Sequence, residues 1–146
     1  MDLSVKSTLS VVIPTFNEEG NIELLYNKLK ETIDPLGLNA LELIFVDDGS
    51  HDDSLKIIKR IAGQDTKVKY ISFSRNFGHQ LALKAGLDHA RFQGVVSLDA
   101  DLQHPVELIP NMIEKWRAGA DVVYSKRIDK TLPWFKRTSS KLFYRI

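Results

Sequence analysis

The 146-residue sequence has no cysteine. That excludes a disulfide framework and thiolate metal sites, and it fits a reducing compartment. No apolar run approaches the roughly 20 residues needed to cross a bilayer. The first residues, Met1-Asp2-Leu3-Ser4-Val5-Lys6-Ser7, do not place a basic region before an apolar stretch and a cleavage site, so the chain is expected to be soluble or at most peripheral. The four histidines (His51, His79, His89 and His104) show none of the close pairwise spacings of a zinc site. Repeats and low-complexity tracts are also missing.

What is present is ordinary in amount but uneven in place. Hydrophobic residues at 43% and charged residues at 27% are globular values that argue against disorder, and the length suits one domain with a real core. Net charge is +1, yet Lys126–Ile146 holds seven basic residues against the single acid Asp129. That segment carries +6 and the preceding 125 residues carry −5. An acidic body with a basic end implies that the end faces something anionic.

Five short β-rich runs alternate with amphipathic stretches: Leu9–Pro14, Leu41–Val46, Val68–Phe73, Val95–Leu98 and Asp121–Tyr124. Nearly continuous apolar runs predict strands buried on both faces of a parallel sheet. The spacing between them predicts helices over Glu18–Ile33, Asp53–Ala62, Gln80–Phe92 and Pro105–Trp116. The fold class is therefore an open, mostly parallel α/β sheet with flanking helices and right-handed crossovers. Strand order is not readable from this pattern.

In such sheets ligands bind beyond the C-terminal ends of the strands. All five loops there are polar: Pro14–Glu18, Asp47–Ser50, Ser74–Gln80, Asp99–His104 and Ser125–Arg127. The loops at the opposite end, such as Asp34–Gly37 and Arg117–Gly119, read as plain turns and helix stops. Asp99-Ala100-Asp101 follows a hydrophobic strand, and two carboxylates one residue apart converge on one cation once the backbone turns. Hard oxygens select Mg2+ or Mn2+, which bridge the phosphates of a nucleoside diphosphate, and Gln103 offers a further oxygen. The competing reading makes Asp101 or His104 a cap for the helix starting at Pro105.

The other loops carry similar alternatives. Asp47 and Asp48 precede the turn at Gly49, and an aspartate there can accept N–H bonds from a nucleobase while Val46 packs on the ring. Ser50 through Asp53 suit helix capping. Phe16 offers an aromatic face and Glu18 a carboxylate, for a base and a ribose hydroxyl; alternatively the segment is a proline turn with Asn17 as N-cap. Arg75, Asn76, His79 and Gln80 form a polar cluster without individual assignments. Arg127 is placed for a phosphate, or is a solvated charge. From Leu132 to Ile146 aromatic and basic residues interleave, which suits either a helix on an anionic membrane surface or one packed against further protein.

Taken together, Val12-Ile13-Pro14-Thr15-Phe16-Asn17-Glu18-Glu19, Val46-Asp47-Asp48-Gly49-Ser50, Phe73–Gln80 and Leu98–Pro105 resemble glycosyltransferase family 2, with its GT-A fold. The Arg-Asn-Phe-Gly-His-Gln and Asp-Leu-Gln-His-Pro stretches resemble its polyprenyl-phosphate and dolichyl-phosphate mannose synthase branch. The resemblance implies nucleoside contacts from Pro14, Phe16, Glu18, Val46 and Asp48. It implies metal and diphosphate contacts from Asp99, Ala100, Asp101 and Gln103, and a phosphate contact from Arg127. The implied reaction is inverting, metal-dependent transfer of a hexose from a nucleoside diphosphate sugar (UDP-glucose-like) to a polyprenyl phosphate at the cytoplasmic face of a membrane. No nucleic-acid partner is implied. Residues 1–128 are expected to form the nucleotide-sugar-binding core, and 129–146 a basic, membrane-facing segment. Family members continue past Ile146 with acceptor-site and catalytic residues, so a C-terminally truncated fragment that binds nucleotide sugar without turnover is the alternative. An oxidoreductase would want Gly-x-Gly-x-x-Gly after the first strand, where Pro-Thr-Phe-Asn-Glu stands. A phosphoacceptor module would want its acid pair after the first strand and not the second.

Overall fold

A computed structural model describes residues 7–125. Four parallel strands, β1 (Thr8–Thr15), β2 (Ala40–Asp47), β3 (Val68–Ser72) and β4 (Gly94–Ser97), form one sheet in the order β3-β2-β1-β4. Four helices connect and flank them: α1 (Ile22–Ile33), α2 (Ser54–Gln64), α3 (His79–His89) and α4 (Ile109–Arg117). A short 3-10 turn, Val106–Leu108, precedes α4. The expected α/β class and the first four strands are present, with bounds that differ by a residue or two. The predicted helix over Glu18–Ile33 starts later, at Ile22, because Asn17 through Asn21 form a loop.

Strand parity divides the core. Leu9, Val11, Ile13, Leu43 and Phe45 face α1, α2 and α4, meeting Ile22, Leu25, Leu29, Ile58 and Ile113. The alternate residues Val12, Ile44 and Val46 face α3 through Ala82. All of these are at most 4% exposed. Fully burying each such aliphatic side chain contributes about 1.5–3 kcal/mol, so this two-sided core is the main stabilising term. Gly86 lets α3 sit directly on the sheet, since a Cβ there would lie 2.2 Å from Val12 Cγ1. Burial on both faces holds for β1 and β2. It fails for β3 and β4, which are edges and leave Tyr70 and Val95 more than 40% exposed.

Among the described residues the predicted fifth strand, Asp121–Tyr124, forms no ladder, and Val122 and Tyr124 are about 80% exposed. The α1 and α2 crossovers step from β1 through β2 to β3 on one face, whereas α3 crosses back on the other face to reach β4, and the outer edges of β3 and β4 carry no further strand among the described residues.

At the N-terminal end of the sheet, Glu42 is 2% exposed beneath the α3–β4 connection. One carboxylate oxygen accepts from Ser10 Oγ at 2.7 Å and from the Arg91 backbone N–H at 3.0 Å. The other accepts from Arg91 Nε and Nη2. Burial alone pushes the Glu42 pKa up, but the bonds from Ser10 and Arg91 outweigh it and hold the carboxyl below its ordinary value.

Candidate functional site

The strand order reverses between β1 and β4, so their C-terminal ends diverge and leave a crevice, the usual ligand position in an open α/β sheet. A cavity of about 380 Å³ lies there. Pro14, Thr15, Phe16 and Glu18 line it from β1, Asp48 from β2, Asn76, Gly78 and His79 from the loop into α3, and Asp99, Ala100 and Asp101 from β4. Seven residues singled out from sequence for donor or metal contacts (Pro14, Phe16, Glu18, Asp48, Asp99, Ala100 and Asp101) thus face one space.

Two of the walls are laced together. Asn17 N–H donates to Ser50 Oγ, Glu18 N–H to Ser54 Oγ at 2.8 Å, and Glu19 N–H to Asp52. In return Asn17 Oδ1 accepts from His51 N–H, and Glu19 Oε2 accepts from Asp53 N–H. Ser50 therefore serves the neighbouring loop and does not cap α2. Asp52 does accept from Ser54 N–H, but its second oxygen binds the neighbouring loop. Burial pushes the Asp52 pKa up, and these hydrogen bonds overcome that, leaving it below its ordinary value. Asn17 is not an N-cap: it sits left-handed at φ 54°, turning the chain so that Phe16 stays 40% exposed at the mouth. Glu18 Oε2 accepts from Asn21 Nδ2, which fixes its carboxylate.

The acid pair after β4 is also set by a left-handed residue. Leu102, at φ 60°, turns the backbone immediately after Asp101, a conformation that costs a non-glycine residue about 1–2 kcal/mol. Asp101 Oδ1 accepts from Gln103 N–H in a tight turn. The capping reading of this segment fails, because no side chain caps the turn that follows Pro105. Asp99 is 40% exposed at its side chain and lies between two imidazoles, with His79 Nε2 and His104 Nδ1 each 3.6 Å from one of its oxygens. Those separations exceed a direct hydrogen bond. Two carboxylates beside open volume match what Mg2+ or Mn2+ needs when phosphate oxygens and water complete the shell. Among the described residues no three His, Cys, Asp or Glu groups could hold an ion by themselves.

Two of the expected residues, Val46 and Gln103, do not line the cavity. Val46 is fully buried against α3, because its even-numbered parity places it on the helix face, so it offers no surface to a base. Gln103 does not line the cavity; it contributes its backbone N–H to Asp101 instead. Asp48, 2% exposed, does line the cavity, and it also accepts from the backbone N–H groups of Phe77 and Gly78, one at each oxygen. Arg127 and the basic segment lie outside the described residues. Sequence reasoning did not assign His79, yet its position as first residue of α3, beside Gly78, brings it to Asp99.

Residues 10–145 match the family described as Glycosyl transferase family 2. An uncharacterized glycosyltransferase of Bacillus subtilis, YkcC, is 48% identical over 94% of this chain and 42% of its own length. A bactoprenol glucosyl transferase of Shigella phage SfV is 44% identical over 94% of this chain and 45% of its own. Among solved structures, glucosyl-3-phosphoglycerate synthase from Mycobacterium tuberculosis, in complex with Mn2+, UDP and glucosyl-3-phosphoglycerate, aligns with a TM-score of 0.61 at 29% identity, covering 81% of this chain and 43% of that one. The fold is GT-A. The chain spans less than half the length of the curated relatives it matches.

Proposed function

Because the chain belongs to glycosyl transferase family 2, we propose that its 380 Å³ crevice binds a nucleoside diphosphate sugar, UDP-glucose-like, together with a divalent cation. The observation that carries this is the convergence of Phe16, Glu18, Asp99, Ala100 and Asp101 on one cavity at the switch point between β1 and β4. Phe16 and Pro14 supply an apolar face for the base, Glu18 an acceptor for a ribose hydroxyl, and Ala100 a small residue that lets the diphosphate approach. Asp99 and Asp101 would hold Mg2+ or Mn2+, with Gln103 fixing the carboxylate of Asp101 through its N–H. A metal bound there supplies a Lewis acid that offsets negative charge on the departing diphosphate.

The acceptor proposed is a polyprenyl phosphate at the cytoplasmic membrane face, supported by the bactoprenol glucosyl transferase relative. A phosphate acceptor is already anionic and needs less help from a general base than a hydroxyl does. Among the described residues no helix is long and apolar enough to cross a membrane, so membrane proximity would come from the acceptor, from the basic 129–146 segment, or from length this chain does not span. Arg127 is proposed as a phosphate contact. The residues that orient the acceptor are proposed to lie in the part of the longer relatives that this chain does not cover. Binding of nucleotide sugar without turnover is the second reading for this stretch of sequence, favoured by that coverage.

Calorimetric titration with UDP, UDP-glucose and GDP-mannose, each with and without Mn2+, tests the donor site. Saturable, metal-enhanced binding of one nucleotide is expected. A folded sample that binds none of the three sinks the reading. Transfer of labelled hexose to a polyprenyl phosphate then separates the enzyme from the binding-only alternative.

A further inference from the structure

Phe16 lines the crevice from the β1 side and stands at its mouth, 40% exposed. A ring that open is free to change rotamer, and a base that stacks on it must first stop it moving. Its surroundings limit that freedom. The rings of Phe16 and His51 have centroids 6.2 Å apart and planes at 76° to each other. Near-perpendicular rings at about 4.5–7 Å form a favoured aromatic pair. His51 is exposed and does not line the cavity, so its imidazole meets Phe16 from outside the site. Histidine suits this place, since its ring packs while its nitrogens stay in water. The backbone holds the pair together. His51 N–H donates to Asn17 Oδ1 at 2.8 Å, and Asn17 N–H donates to Ser50 Oγ at 3.0 Å. Asn17 follows Phe16 and Ser50 precedes His51, so both rings are anchored side by side.

We propose that His51 is a positioning residue: its imidazole braces the Phe16 ring in the orientation on which a nucleobase stacks, without itself touching the nucleotide. The inference rests on the donor-site reading above and deepens it. The brace strengthens binding of a ligand whose base reaches Phe16 and adds nothing for a diphosphate alone.

Affinities for UDP and for inorganic pyrophosphate, both in Mn2+, are measured on the unsubstituted chain, on His51→Ala, on Phe16→Ala and on the double variant. His51→Ala keeps the backbone N–H that bonds Asn17, so only the ring is removed. It is expected to weaken UDP about threefold to fivefold and to leave pyrophosphate within about twofold. With Phe16 already replaced by alanine, His51→Ala is expected to cost less than about twofold, because the brace has nothing to hold. His51→Phe restores an aromatic ring and is expected to recover UDP affinity to within about twofold. Unchanged UDP affinity in His51→Ala overturns the proposal. So does a parallel loss of UDP and pyrophosphate, which would mean that the loop itself had moved. A loss that persists in full without Phe16 would mean that His51 touches the nucleotide directly. A His51→Phe variant as weak as His51→Ala would mean that the imidazole nitrogens act and not the ring. Either result also overturns it.

If a variant does not fold, the unsubstituted chain decides. Nuclear Overhauser contacts between the Phe16 and His51 rings are expected in the free protein and at saturating UDP. Their absence from the free protein, or their loss on UDP binding, overturns the proposal. Absence of UDP binding by the unsubstituted chain is a different outcome: it removes the donor-site reading and this inference with it.

Discussion

Replacing Glu42 with glutamine changes one atom at the end of the sheet farthest from the crevice, and its cost can be worked out. The amide oxygen can keep the bonds from Ser10 Oγ and Arg91 N–H. The new NH2 group must then face Arg91 Nε and Nη2, which lose their acceptor at 3.2 and 2.9 Å. A hydrogen bond to a charged group contributes about 1.5–3 kcal/mol, and two are lost here. The Arg91 side chain is 66% exposed and can turn to water, so the loss is discounted to roughly 2 kcal/mol in total. At roughly 4 °C per kcal/mol for a domain of this size, the melting midpoint at pH 7 falls by about 8 °C. The pH dependence has a definite sign. The Glu42 pKa is lowered in the folded state, so its stabilisation is full above the ordinary carboxyl value of 4.5 and is lost as pH falls through the folded value. Thermal and urea denaturation at pH 7 and at about pH 3.5 should therefore show a gap between the two proteins that narrows in acid. Nucleotide affinity should not change. A gap below about 0.5 kcal/mol at pH 7, or one that widens on acidification, would refute the assignment of Glu42 as a paired, ionised group.

Four further outcomes follow from the same geometry. Asp99→Asn and Asp101→Asn should each weaken UDP binding in Mn2+ by about tenfold and abolish the metal enhancement, since each removes one hard oxygen; equal enhancement in the variants would place the ion elsewhere. Gly86→Ala should destabilise the chain by about 1–3 kcal/mol in urea, because its methyl would meet Val12 Cγ1. Unchanged or raised stability would mean the helix does not pack this closely. Ser54→Ala leaves the Glu18 N–H without its acceptor and should cost about 1–3 kcal/mol, read as faster amide exchange at Glu18 together with weaker UDP binding. Phe16→Ala should weaken UDP by about tenfold if the base stacks there, while leaving inorganic pyrophosphate binding in Mn2+ unaltered; parallel loss of both would place the ring against the phosphates.

Much of the frame was legible because local pattern and burial agree. The runs around Val11 and Leu43 are apolar at every position since both faces of β1 and β2 are covered. The polar rim was legible because ligand-facing loops follow strand ends, and Phe16, Glu18, Asp99 and Asp101 meet there. Facts set by three-dimensional relations were not legible. Val46 is turned inward by sheet parity, and the β-rich composition of Asp121–Tyr124 does not reveal that the segment forms no ladder among the described residues. The Glu42–Arg91 pair and the lacing of Asn17 with Ser50 and His51 join residues more than 30 positions apart. The turns at Asn17 and Leu102 require left-handed backbone from residues that do not announce it. Asp48 illustrates the limit best: its residue type fits base recognition, and only the structure shows that it also accepts from the Phe77 and Gly78 amides.

The central claim, that a divalent ion and a nucleoside diphosphate meet at Asp99 and Asp101, is tested most directly by paramagnetic broadening. Sub-stoichiometric Mn2+ added to the isotope-labelled chain with UDP should selectively broaden the backbone amides of Ala100, Asp101 and His79, and this broadening should disappear when UDP is omitted or Mn2+ is chelated. Broadening centred on Asp52 and Asp53, or spread over the acidic surface regardless of UDP, would contradict it.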